Sequence, residues 1–129
     1  MIAAKTVFRL FALVAFIAVL PPLAHAAEPI ALRVVFVQTD NSSAYLAEIE
    51  KGKALMKKLD VPAQLRVWKA RFAGNDAGGI VVAIEYPNLT ELAKAEAKLN
   101  ADADYVAWLK GLDKVRKVVG DSIYYELKP

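Results

Sequence analysis

The chain has no cysteine, and its one histidine, His25, falls in the segment Ala24-His25-Ala26. Without cysteine no disulfide can support the fold, and the core must stabilise it alone. Long apolar runs are also missing. The longest, Leu10 to Leu20, has eleven residues, whereas a bilayer-spanning helix needs about 20. Acids are absent from the start of the chain, where Lys5 and Arg9 precede the apolar run and no carboxylate comes before Glu28. A basic stretch, an apolar stretch, the helix-ending pair Pro21-Pro22 and then small residues follow the order of a secretory leader. The expectation is a cleaved signal peptide over 1–26, with cutting after Ala26 or Ala27, and an uncleaved anchor as the competing reading. A lipid-anchored form is excluded, because the attachment needs a cysteine.

Discarding 1–26 changes the inventory. Residues 27–129 form one domain of 103 residues with 15 basic and 14 acidic side chains, a net charge of +1 rather than the +3 of the whole chain. A domain of that size can build a sizeable core. Nucleic acid is not an expected partner, since its binding needs concentrated positive charge. With His25 in the leader, 27–129 hold neither imidazole nor thiol. This excludes zinc, copper and iron sites built on those ligands and hydrolase triads that need a histidine base. No D-x-D-x-D-G loop marks a calcium site, so neither a metal nor a cofactor is expected. The expected location is periplasmic or secreted, with no membrane association after cleavage.

What is present is a regular alternation of strands and helices. Ala31–Thr39 (ALRVVFVQT) is short and β-branched, a strand. Asp40-Asn41-Ser42-Ser43 is a helix start, with Asn41 or Ser42 as the cap. From Ala44 to Leu59, Leu46, Ile49, Met56 and Leu59 recur at helical spacing among lysines and glutamates, and Asp60-Val61-Pro62 stops the helix. The interspersed acids make the lysine-rich side a solvated face. Ala63–Phe72 reads as a second strand, joined through the loop Ala73–Gly79 to a third, Ile80–Tyr86. That loop precedes a strand rather than a helix, so it is a hairpin and not a phosphate cradle. A second helix runs from Leu89, is interrupted over Asn100–Asp104, and resumes from Tyr105 to Val115. Val118–Leu127 is the last strand.

The order β-α-β-β-α-β is the split βαβ pattern of an α+β, ferredoxin-like fold, with a four-stranded antiparallel sheet and two helices on one face. The first and third strands are apolar at consecutive positions (Val34 to Val37, Ile80 to Ile84), as central strands are. The second and fourth interleave Gln64, Arg66, Asp121 and Ser122, as edges do. Strands apolar on both faces need both faces covered. Two helices cover one, and a second copy of the chain is the simplest cover for the other.

The segments RVWKARFAG and VVAIEYPNLTELAKAEAKL, with Asp104-Tyr105, Trp108-Leu109, Val119 and Ser122-Ile123-Tyr124, resemble the dimeric α/β-barrel superfamily. Within it the chain is most similar to uncharacterised NIPSNAP-like and antibiotic-biosynthesis monooxygenase-like members. The resemblance implies a homodimer whose two sheets pack face to face into a barrel. Members include monooxygenases, isomerases, haem enzymes and proteins without known activity. The histidine that its haem-binding and isomerase branches use has no counterpart in 27–129, and fold similarity does not transfer function.

Some side chains remain as candidates. Glu85 is the one carboxylate in a central strand and a weak candidate for a general base if it faces a cavity; otherwise it pairs with Arg33 or Arg66. Arg66, Trp68 and Phe72 fall on one face of the second strand by alternation. They offer a cation and aromatic walls for a ligand, or else they seal a dimer. Tyr124 and Tyr125 point to opposite faces, and Tyr124 is the one assigned to a ligand. Asp102 and Asp104 read as the start of the resumed helix. Three functions fit: binding of a small apolar or aromatic molecule, a cofactor-independent monooxygenase or isomerase, and a structural or interaction module. Binding ranks first, because the barrel encloses a cavity while the missing histidine weakens catalysis. Whether the chain is an enzyme is left open.

Overall fold

The computed structural model describes residues 27–72 and 74–129. The expected leader, with Ala24-His25-Ala26 and the expected cleavage position, lies outside the described residues. Four strands, β1 (Ala31–Gln38), β2 (Gln64–Lys69), β3 (Ile80–Tyr86) and β4 (Lys117–Tyr125), form one antiparallel sheet in the order β2-β3-β1-β4. The apolar strands are therefore the central pair and the mixed ones the edges. Helices α1 (Ser42–Lys58), α2 (Leu89–Ala101) and α3 (Ala103–Leu112) lie against one face.

Each helix begins where a side chain can accept the first free backbone N–H groups. Asn41 accepts from the Ala44 N–H at 2.9 Å, Asn88 from Glu91 at 2.7 Å and Asp102 from Tyr105 at 2.8 Å. The last contact changes the expected architecture. The interruption shrinks to one residue, Asp102, which ends α2 and caps α3, so the order is β-α-β-β-α-α-β with three helices rather than two. Helix α1 ends with Asp60 at φ 52°, its N–H on the Lys57 carbonyl and the Val61 N–H on the Met56 carbonyl. That pair of bonds is the usual left-handed helix stop.

The buried face of α1 consists of Tyr45, Ile49, Gly52 and Met56, a strict i, i+4, i+7, i+11 stripe. Leu46, expected in that stripe, sits about 100° further round the helix and is exposed. On the solvent side Lys51 pairs with Glu48 and Lys53 with Glu50, three residues apart. The second strand is also shorter than expected. It ends at Lys69, and the Ala70 N–H bonds the Gly79 carbonyl to start the hairpin. Gly78, at φ 86°, supplies a conformation that side-chain-bearing residues rarely adopt.

Residues directly opposite in an antiparallel ladder share a face. Arg33, Val35 and Val37 of β1 thus share the helix-covered face with Ile84, Val82 and Ile80 of β3. The core on this face is two clusters. Val35, Val37, Tyr45, Ile49, Ile80, Val82 and Leu112 form the larger, and Ala31, Tyr86, Leu92 and Ala95 the smaller. Between them along β1 comes Arg33, a charge where the apolar rows would otherwise join. Leu32, Val34 and Phe36 point the other way, beside Glu85, Ala83 and Val81. Among the described residues no helix covers that side.

Candidate functional site

The gap around Arg33 opens into a cavity of about 130 Å³ between sheet and helices. Three elements bring charges to it. The Arg33 guanidinium donates from Nε and Nη2 to the two oxygens of Asp121 on β4, at 3.0 and 2.6 Å, and from Nη1 to Glu96 on α2. A fork-on-carboxylate arrangement of this kind is geometrically selective and stronger than a neutral hydrogen bond. It holds Arg33 above the ordinary arginine range, chiefly through the Asp121 hydrogen bonds, with burial opposing.

Two tyrosines stand within reach of Glu96. Burial pushes the Tyr86 phenol up to about 12, and the Glu96 charge adds to the shift. Tyr105 is raised for the same two reasons, burial first. Both phenols therefore stay protonated at neutral pH and can donate hydrogen bonds without acting as bases.

The far wall comes from α3. Tyr105 and Trp108, one turn apart, place their ring centres 5.2 Å apart at a 45° tilt. The Trp108 indole N–H donates to the Glu48 carbonyl of α1 at 2.9 Å. It lies so close over Gly52 that a Cβ there would come within 2.2 Å of the ring. Glycine at 52 is thus what lets α3 seat its tryptophan against α1. At the other end Arg116, just before β4, donates from Nη1 to the Tyr45 hydroxyl at 3.3 Å, 6.0 Å from the centre of that ring. Its Nε is buried and has no hydrogen-bond partner among the described residues.

The residues singled out from sequence lie elsewhere. Arg66, Trp68, Glu85 and Tyr124 all fall on the open face of the sheet, as the ladder partners Arg66–Ala83, Trp68–Val81 and Leu32–Glu85 and Leu32–Tyr124 require. Trp68 is 56% and Tyr124 52% exposed. Phe72 does not join them. It follows the strand end, is 94% exposed and stacks near Arg71. The expected Glu85 pairs do not form either. Arg33 points to the opposite face, and Arg66 donates to Gln64. Tyr125 faces opposite to Tyr124, as alternation requires. Among the described residues no cluster of His, Cys, Asp and Glu could hold a metal ion, and no helix is long and apolar enough to cross a membrane.

Sequence reasoning passed over Arg33, Tyr45, Glu96, Tyr105 and Arg116 as site residues. One signal was present: Arg33 is the lone charge inside the apolar first strand, and a buried charge needs a partner. Which carboxylates supply it depends on chain crossings of 63 and 88 residues, invisible to local pattern.

A four-stranded antiparallel sheet in this strand order, helices on one face, defines the ferredoxin-like fold. Solved structures agree. A NIPSNAP family protein of unknown function from Agrobacterium tumefaciens superposes with a TM-score of 0.58 at 18% identity, over 79% of this chain and 91% of that one. SnoaB, a cofactor-independent oxygenase from Streptomyces nogalater, gives 0.58 at 9% identity, over 78% and 96%. A dimeric ferredoxin-like protein from an uncultured marine organism gives 0.53 at 13%, over 80% and 92%. The sequence resemblance to this superfamily is thus matched in three dimensions, at identities that speak for the fold alone. No protein-family model and no curated protein matches the sequence.

Proposed function

We propose that residues 27–129, after export, form a homodimer that binds a small apolar or aromatic molecule in the cavity between sheet and helices. The observation that carries this reading is the cavity itself: an aromatic wall, Tyr105 and Trp108, among aliphatic side chains with a few polar groups, the usual makeup of a small-molecule site. The open sheet face supports the dimer. Half-buried Leu32, Phe36, Val81 and Ala83 surround the buried Val34 there, flanked by exposed Trp68 and Tyr124, and apolar patches of this kind mark interaction surfaces. On this reading Arg66, Trp68 and Tyr124 serve the interface rather than the ligand.

Native mass spectrometry of the purified protein tests both parts. The expected result is a dimer carrying a small-molecule mass excess. A monomer at micromolar concentration overturns the dimer. Protein that is empty and also takes up no toluene overturns the cavity reading. The activity named for SnoaB makes turnover the second reading, and oxygen consumption with a reduced phenolic compound would put catalysis in place of binding.

A further inference from the structure

The open sheet face carries one charge of each sign in an otherwise uncharged field. The ladders place Glu85 in one row with Leu32 and Tyr124, Arg66 in the next row beside Ala83, and Trp68 in the third beside Val81. Along these rows Arg66 and Glu85 are the charged side chains. Glu85 is half-buried and makes no ion pair among the described residues. Arg66 is exposed and donates to the neutral side chain of Gln64 at 2.8 Å. Covering this face strips water from both groups, and a charge buried without a partner is strongly unfavourable. An uncharged cover would strand both. A second copy of the chain brings one charge of each sign, and in an isologous dimer every contact is made twice, so one pairing satisfies both copies.

The positions on the face allow that pairing. Two like faces stacked on each other are related by a two-fold axis lying in the plane between them. On a flat ladder, with strands about 4.8 Å apart and about 3.4 Å per residue, an axis running diagonally across Ala83 and Val34 exchanges Arg66 with Glu85. The same operation carries Trp68, 56% exposed in the single chain, onto the partner's Leu32 and the partner's Tyr124. Strands of the two sheets then cross at roughly 70°, nearer the orthogonal than the aligned class of sheet packing.

We propose that the open faces of two copies pack with Arg66 of each protomer donating to the partner's Glu85, the two ion pairs lying side by side across the two-fold axis. This rests on the reading of the chain as a homodimer and adds its register and the side chains that select a second copy over any other cover. Within one protomer Arg66 and Glu85 are diagonal neighbours on β2 and β3, so an internal pair is the competing arrangement.

Charge reversal with mixing separates the two. In sedimentation equilibrium, Arg66→Glu and Glu85→Arg should each weaken the dimer roughly ten-fold or more, because each sets like charges together at both contacts. An equal mixture of the two variants should dimerise to within about three-fold of the unaltered protein, since each contact of the mixed dimer again joins a cation to an anion. An internal pair predicts no such rescue, because every protomer keeps its own like charges. A mixture as weak as its components therefore overturns the proposal, and so do single variants that dimerise like the unaltered protein. In both cases the homodimer reading stands. Unaltered protein that is monomeric at micromolar concentration overturns both. Glu85→Lys takes the place of Glu85→Arg if circular dichroism shows the arginine variant unfolded.

Discussion

The same central strands serve two unlike faces. On β1, the odd positions Ala31, Arg33, Val35 and Val37 turn to the helices, and the even positions Leu32, Val34 and Phe36 turn to the open side. The helix side packs Tyr45, Ile49 and Leu112 onto the sheet and still leaves a cavity, because the Arg33 row cannot be filled with hydrocarbon. The open side has no charge among Leu32, Val34 and Phe36 at its centre, and it leaves Trp68 and Tyr124 half in solvent. One face is closed by the chain's own helices around a polar flaw. The other carries no helix among the described residues. The difference also runs sideways: Ile123 of β4 is on the helix side and remains 53% exposed, so the helix layer stops short of that edge.

Substitutions can break this contrast in graded steps. The largest effect is expected from Tyr45→Ala, which empties a fully buried position of the larger cluster. Chemical denaturation should show a loss of roughly 3–5 kcal/mol, with no comparable change from an alanine at exposed Tyr124. Next comes Gly52→Ala. The new methyl would collide with the Trp108 ring, and the overpacking should cost about 1–3 kcal/mol with a shift in Trp108 emission. If stability and emission are both unchanged, α3 does not depend on that contact.

The open face answers to a different assay. Trp68→Glu should weaken dimerisation at least ten-fold, about 1.4 kcal/mol, in sedimentation or light scattering. The unfolding of the monomer should be nearly untouched, and equal losses in both would mean that the two faces are not independent. The smallest effect is one of pH. Tyr86 is raised in the fold from about 10 to about 12, so the folded state holds its proton more tightly than the unfolded chain. The corresponding stability is complete below pH 10 and is lost as pH rises towards 12. Tyr86→Phe should flatten that alkaline fall, leaving the share due to Tyr105. A denaturation midpoint that drops equally in both proteins between pH 10 and 12 would contradict it.

Much of the fold was legible in the sequence because its signals are local. Runs of consecutive β-branched residues marked the central strands, and Asn41 and Asp102 declared helix starts by chemistry that acts over three residues. Phe72 shows the limit of such reading. Alternation carried it onto the second strand, but a strand lasts only as long as its partner, and β3 begins pairing at Ile80 opposite Lys69. Leu46 shows another. Its spacing to Ile49 is helical, yet the stripe through Tyr45 contains Gly52, which lets a neighbouring helix approach and so decides which face is buried.

What the amino-acid sequence alone determined is the succession of strands and helices along the chain, the helix starts near Asn41 and Asp102 and the existence of two apolar sheet faces, all consequences of short-range periodicity and capping. The tertiary structure alone decided that Arg33 meets Glu96 and Asp121, that Arg116 is left with an unpaired buried donor, and that Glu85 and Arg66 face away from both. Those outcomes depend on which distant residues the antiparallel ladders set side by side. A charge in a strand declares its need for a partner, but only the packed sheet supplies one or withholds it.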